Sequence, residues 1–154
     1  MDTPRPLRTD AQRPPDAVLG AARAGFGELG IEAPLEAIAE RAGVGRATLY
    51  RNFPDRTSLI VAVLEREFTA LDTHAQAFAD DPAALFRLLD QLADTLVRTN
   101  PLGEALRRAR LQPEPLSGLH ARIGKVFAGP VERAKAAGLA RADLTADDGV
   151  LVVR

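Results

Sequence analysis

The 154-residue sequence contains no cysteine, which excludes a disulfide scaffold, a thiolate zinc site and a cysteine nucleophile. Its two histidines, His74 and His120, are far apart in the sequence, so a zinc site would need additional carboxylates. We therefore expect no metal and no cofactor. No stretch approaches the ~18 consecutive apolar residues of a membrane span, and residues 1–13 lack the apolar core of a signal peptide. These absences predict a cytoplasmic protein without a membrane partner.

Lysine is also scarce, because Lys125 and Lys135 are the only lysines among 20 basic residues. Arginine suits phosphate and guanine recognition, although a GC-rich genome explains such an excess more readily. The formal net charge is only −1, and the first 56 residues carry eight basic and eight acidic side chains. Bulk charge therefore does not indicate a nucleic-acid partner, and such a function must rest on the local placement of a few side chains.

Apolar residues recur every three to four positions between Gly and Pro breaks, and no strand-like alternation is sustained. This periodicity predicts an all-α protein with helices over residues 16–29, 35–42, 46–53, 56–78, 83–99, 102–111 and 116–137, and a final segment at 146–153. In this scheme Pro101 begins a new helix, and Gly129–Pro130 kinks or splits the following one. The apolar stripe expected on the fifth helix is Leu85, Phe86, Leu89, Leu92, Ala93, Leu96 and Val97.

The most informative stretch is residues 35–56, LEAIAERAGVGRATLYRNFPDR, whose pattern is typical of a helix-turn-helix. Ala39 is small where two helices must approach closely, and Gly43 permits the positive φ of a tight turn. Val44 and Leu49 are expected to fill the space between the helices. The same arrangement turns Arg46, Ala47 and Tyr50 outward.

A recognition helix reads bases with its N-terminal residues, while its flanks bind phosphate. On this basis Arg46 is placed to reach a base edge, and Tyr50 can contact a base or a thymine methyl group. Thr48, Arg51 and Arg56 can hold phosphates. The alternative is that these arginines form a solvated helix face and that the Tyr50 ring packs on its neighbours.

Residues 17–64, AVLGAARAGFGELGIEAPLEAIAERAGVGRATLYRNFPDRTSLIVAVL, resemble the DNA-binding domain of TetR-family transcriptional regulators. Within that family, the segment APLEAIA and the layout of residues 82–145 are most similar to an SbtR-like regulatory domain. The resemblance implies a dimeric regulator in which Arg46, Ala47 and Tyr50 face bases. It also implies that Thr48, Arg51 and Arg56 face the DNA backbone. An effector would bind in a helical pocket.

Three features depart from the family pattern. Ala33 and Pro34 stand where Ser or Thr commonly caps the second helix and holds a phosphate, and Gly45 replaces the usual Ser cap of the third helix. The sequence also holds at most the start of the first of the two C-terminal helices that form the family's dimer. We expect a truncated chain, and the alternative is a regulator with another mode of association.

The resulting domain prediction is a flexible arm at residues 1–15, a helix-turn-helix domain at 16–56 and a helical ligand-binding and dimerisation domain at 57–154, incomplete at its C-terminus. Candidate pocket residues in the last domain share helical, core-like positions; they are Phe68, Leu71, His74, Phe78, Phe86, Leu89 and Phe127. Each of them has the simpler interpretation of a core or surface side chain.

The function expected from these observations is that of a DNA-binding repressor. It would read a palindromic operator in double-stranded DNA and be released from it by a small-molecule effector. A homodimer is expected if the full C-terminal helices are present. The alternative is an all-α ligand-binding or protein-interaction module that keeps the helix-turn-helix only as a scaffold. An enzyme is not expected, because the sequence has no Gly-rich phosphate loop, nucleophile elbow or HExxH motif.

Overall fold

A computed structural model describes residues 14–78, 80–111 and 118–151. Within these ranges the chain is all-α, as the periodicity predicts, and holds seven helices. They are α1 (Pro14–Leu29), α2 (Leu35–Arg41), α3 (Arg46–Asn52), α4 (Arg56–Ala77), α5 (Ala84–Arg108), α6 (Leu119–Ala136) and α7 (Ala146–Leu151). Residues 1–13 of the predicted arm, the predicted helix start at 116–117 and the end of the predicted final segment lie outside the described residues.

The chain divides into two compact units, one up to Val63 and the other from Leu64 onward. In the first unit, α1 packs on α2 and α3, and these two helices pack on each other. In the second unit, α5 packs on α6 and α6 packs on α7. No helix within the described ranges is long and apolar enough to cross a membrane.

Local capping fixes where α4 and α7 begin. The Asp55 carboxylate accepts a 2.7 Å hydrogen bond from the Ser58 N–H, and the Ser58 hydroxyl lies 3.3 Å from the Asp55 N–H. Before α7, the Asp148 carboxylate accepts from both the N–H and the hydroxyl of Thr145, each at 2.8 Å. These bonds hold the pKa of Asp148 below its ordinary value. Both caps are local features of the sequence, because each joins residues only three positions apart.

The prediction that a new helix begins at Pro101 is wrong, because α5 runs through Pro101 without a break. A proline inside a helix costs about 3 kcal/mol. That cost is outweighed by a buried stripe that continues on both sides of it: Leu85, Leu88, Leu92, Thr95, Thr99, Leu102 and Leu106. Pro101 itself lies on the exposed side, where water can bond the carbonyl that lacks a partner. Pro130 likewise lies inside a single helix, α6, and is buried there.

The apolar face predicted for the fifth helix is wrong at several positions. Val97 is 77% exposed and Phe86 is 46% exposed, whereas Thr95 and Thr99 are buried. The Thr99 hydroxyl donates a 2.8 Å hydrogen bond to the Thr95 carbonyl, so its polar group is satisfied inside the core. On α1, Leu29 follows the helical spacing of buried Ala22 and Phe26, yet it is 63% exposed at the end of the helix.

Candidate nucleic-acid interface

Helices α2 and α3 form a helix-turn-helix whose inner face is apolar. Ile38, Ala39 and Leu49 are almost completely buried, with Leu49 at 0% exposure. The turn between the helices passes through Gly43, whose φ of +67° lies in the left-handed region that favours glycine. The Val44 N–H then bonds to the Ala39 carbonyl at 3.0 Å. The predicted turn and the predicted inward placement of Leu49 are confirmed.

The packing of Leu49 determines which side chains of α3 point outward. Arg46 lies in the first turn with 70% of its side chain exposed, Ala47 is exposed, and Tyr50 is 40% exposed. Helix α3 begins after Gly45, which provides no side-chain cap. The structure thus brings a guanidinium, a methyl group and a phenol onto one outward surface, which we call the α3 face (Arg46, Ala47 and Tyr50).

A carboxylate that the sequence did not single out lies against this face. Glu36, in the first turn of α2, accepts a hydrogen bond from the Arg46 guanidinium through Oε1, and the Tyr50 hydroxyl lies 3.4 Å from the same oxygen. Its own backbone N–H, and then the bond from Arg46, hold the pKa of Glu36 below its ordinary value. Residues 36 and 46 are ten positions apart on different helices, so only the helix-turn-helix geometry could have indicated this contact.

Two of the predicted phosphate-binding residues bond to each other along α3. Arg51 donates from its terminal nitrogen to the Thr48 hydroxyl at 3.1 Å and from Nε to the Ala47 carbonyl at 3.3 Å. Arg51 is exposed and Thr48 is half-buried. Both therefore lie on the side of α3 next to the α3 face, and Arg51 has the longer and more exposed side chain of the two.

Arg56 is held differently from the other arginines. Its terminal nitrogen donates to the carbonyl of Ile31 and, at 2.7 Å, to the carbonyl of Ala33, in the loop between α1 and α2. The side chain is partly buried. These bonds satisfy two loop carbonyls with one charged group and fix the entry to α2. The sequence contained no signal for this role, because 23 and 25 positions separate the partners.

The opposite end of α2 is tied to α1 by a bidentate ion pair. The Arg41 guanidinium donates to both oxygens of Glu28, at 2.6 and 2.9 Å. This pair lowers the pKa of Glu28 and raises the pKa of Arg41. Glu28 thus offsets the charge of Arg41, as Glu36 offsets that of Arg46.

The second unit contains a small cavity between α4 and α6, lined by Phe68, Leu71, Asp72, Arg122, Ile123, Val126 and Phe127. Its volume of about 10 Å³ leaves room for about one water molecule. Arg122 closes one side through contacts with three groups of α4: the Glu65 carboxylate at 3.3 Å, the Thr69 hydroxyl at 3.3 Å and the Asp72 carboxylate at 3.6 Å. A ligand larger than water would require these side chains to move.

The structure brings together three of the seven candidate pocket residues, Phe68, Leu71 and Phe127, around this cavity. The other four do not line it. His74 is exposed, and its ring centre lies 6.0 Å from that of half-buried Phe78, which in turn stacks 5.0 Å from the Arg87 guanidinium. Leu89 is half-buried.

Comparison with known proteins identifies similar regulators. The family profile described as bacterial regulatory proteins of the tetR family matches residues 18–63, a segment that ends where the first compact unit ends. The chain is 38% identical over 109 residues to the HTH-type transcriptional repressor KstR of Mycobacterium tuberculosis, covering 67% of this chain and 50% of that protein. The KstR of Rhodococcus jostii is 38% identical over 97 residues, covering 61% and 44%. The chain therefore spans about half the length of these curated relatives.

Two solved structures are similar over more of their length. The TetR transcription regulatory protein from Mycobacterium vanbaalenii matches with a TM-score of 0.79 and 34% identity, over 96% of this chain and 89% of that one. The TetR transcriptional regulator SCO0520 from Streptomyces coelicolor matches with a TM-score of 0.74 and 33% identity, over 87% and 79%. The similarity therefore extends beyond the helix-turn-helix into the second unit.

Proposed function

Because this chain belongs to the TetR family of bacterial regulatory proteins, we propose that it is a transcriptional repressor that inserts α3 into the major groove of an operator. The observation that carries the proposal is the α3 face. Arg46 and Tyr50 are exposed on it while Leu49, between them in sequence, is fully buried. A recognition helix requires this combination, because its inner residues must fix its orientation while its outer residues reach base edges.

Each residue of the interface has a distinct role in this proposal. Arg46 donates to a guanine edge, a bidentate contact that contributes about 1–3 kcal/mol of discrimination between bases. Ala47 and Tyr50 contact bases beside it, with the alanine methyl group suited to a thymine methyl. Arg51 and Thr48 bind the DNA backbone. Arg56 mainly stabilises the protein itself, because its guanidinium already bonds to the loop before α2.

The proposed partners follow from the family. Two copies of the chain would read a palindromic operator with half-sites about one helical turn apart. A small-molecule effector would bind in the second unit, between α4 and α6, and release the DNA. Since the cavity there holds about one water, the effector would bind best to a conformation in which it is wider. An effector shifts an equilibrium only by its difference in affinity between two states, so the effector would release DNA by favouring a wider conformation that binds the operator less tightly.

The test is selection of bound sequences from random double-stranded DNA, followed by measurement of affinity against salt concentration. We expect one preferred palindromic sequence and an affinity that falls steeply with salt. The alternative, an interaction module that keeps the helix-turn-helix as a scaffold, predicts neither. Light scattering at several concentrations tests the homodimer, and a monomer at every concentration would contradict the proposed reading of two half-sites.

The variant Arg46→Ala tests whether α3 determines the preferred DNA sequence. The variant should lose discrimination at one base pair of each half-site, by about fivefold to a hundredfold. Arg141→Ala is the matched control, because it removes an exposed arginine from the loop before α7. It should leave the preferred sequence unchanged. An Arg46→Ala variant that keeps both the preferred sequence and the affinity would refute the proposed orientation of α3.

A further inference from the structure

Glu36 is the one carboxylate that the described residues show in contact with the α3 face. Its Oε1 accepts from Arg46 and lies 3.4 Å from the Tyr50 hydroxyl. Both partners project from α3, four residues apart, whereas Glu36 projects from α2. The backbones of the two helices are fixed relative to each other by buried Ile38 and Leu49. The position of the carboxylate is therefore set by the fold.

The contact leaves Arg46 free to bind DNA. A guanidinium carries five N–H donors in a planar fork, and Glu36 accepts from one of its terminal nitrogens. The remaining donors are enough for a bidentate contact with a guanine edge. Arg46 would otherwise have a long side chain with many rotamers, 70% exposed to solvent, and ordering it on DNA would cost conformational entropy.

The same carboxylate affects Tyr50 and the charge of the surface. When the Tyr50 hydroxyl donates a hydrogen bond to Glu36, the lone pairs of its oxygen point outward. Tyr50 can then accept a hydrogen bond from a base amino group. Glu36 also offsets the positive charge of Arg46. Long-range attraction to phosphates, which is independent of sequence, is weakened by this neighbour, while short-range hydrogen bonding to a base is retained.

We propose, as an inference that rests on the proposed repressor function, that Glu36 is a positioning residue that determines sequence specificity by holding Arg46 and Tyr50 in their base-reading orientation. Glu36 does not itself contact a base. It raises the ratio of specific to non-specific affinity in two ways: it orders the side chains that read bases, and it reduces the attraction of Arg46 to any phosphate.

The experiment compares Glu36→Gln and Glu36→Ala with Glu40→Gln in the full chain. Glu40 lies one turn along α2 and is exposed, so this control removes the same charge from the same helix. Each variant is measured for affinity to the selected operator, to operators altered at single base pairs, and to unrelated DNA. Circular dichroism melting checks that each variant is folded.

We expect both Glu36 variants to lose about fivefold or more in discrimination, at the same base pair where Arg46→Ala loses it. Their affinity for unrelated DNA should rise, as it should in Glu40→Gln, whose discrimination should be unchanged. In an Arg46→Ala background, Glu36→Gln should cause little further loss at that base pair, because residues that act as a unit are not additive. A purely structural role would not give this dependence on Arg46.

Three results would overturn the inference. Glu36 variants with the discrimination of Glu40→Gln would show that the contact does not position Arg46. A loss confined to a base pair that Arg46→Ala and Tyr50→Phe both leave unaffected would show that Glu36 contacts DNA directly. A wild-type chain with no sequence preference at all would remove the repressor proposal, and this inference with it. The first two results leave the proposed function intact.

Discussion

Leu49→Ala tests the packing on which the orientation of α3 depends. Leu49 is 0% exposed, on the inner face of a unit built from three short helices and the start of α4. Burying a leucine side chain contributes about 1.5–3 kcal/mol, and a cavity that does not collapse adds to the loss, so that buried Leu→Ala changes cost about 2–5 kcal/mol. We expect about 3 kcal/mol, because small adjacent helices can close part of the cavity.

The matched control is Leu29→Ala, the same change at a leucine that is 63% exposed. It should cost less than about 0.5 kcal/mol. The two variants are compared by denaturant unfolding and by amide hydrogen exchange. A loss of 3 kcal/mol raises the population of open states about 100-fold, and the increase should appear in amides of α2 and α3.

Leu49→Ala also tests whether the two units unfold together. Amides of α5, in the second unit, should respond to Leu49→Ala only if the units unfold together. Specific DNA affinity should fall at least as much as the population of folded α3. If Leu49→Ala and Leu29→Ala had equal stability and equal exchange in α3, the assignment of Leu49 to the inner face would be refuted.

Three further predictions concern the same unit. Gly43→Ala should destabilise the unit by about 1–2 kcal/mol, because φ is +67° there. Gly27→Ala, in helix α1 with open space around it, should stabilise the unit by about 0.5–1 kcal/mol. Thermal unfolding measures both changes in stability, and two changes of the same sign would contradict the argument. Arg41 lowers the pKa of Glu28 in the folded state, so this pair stabilises the fold at neutral pH, and its contribution is lost as pH falls below about 5. The wild type should therefore lose stability more steeply between pH 6 and pH 3 than Glu28→Gln does. Parallel curves of stability against pH would rule out a contribution of the pair. Arg56→Ala leaves two loop carbonyls without their charged donor and should lower the free energy of unfolding by about 1.5–3 kcal/mol. A loss of DNA affinity with no change in stability would instead identify Arg56 as a phosphate ligand.

Much of the first unit could be predicted because its signals are local. The turn at Gly43, the inward Leu49 and the Asp55 cap each depend on residues a few positions apart. Periodicity predicted most of the helices, but it missed the continuity of α5 through Pro101 and the inner faces of some helices. On α5 the buried positions 85, 88, 92, 95, 99, 102 and 106 alternate in steps of three and four. A pattern of apolar residues alone does not show this spacing, because two of its positions are threonines.

In the candidate site too, one part could be predicted from the sequence and the other part could not. The amphipathic order of the chain determined that Arg46, Ala47 and Tyr50 share an outward face, since a helix that buries Leu49 has only one orientation for its neighbours. Only tertiary structure decided what those side chains contact: Glu36 reaches Arg46 across two helices, and Arg56 turns back to a loop more than 20 residues earlier. Helical periodicity is a property of the backbone and can be read from sequence, whereas the partner of a long charged side chain depends on which distant atoms the packed fold brings within its reach.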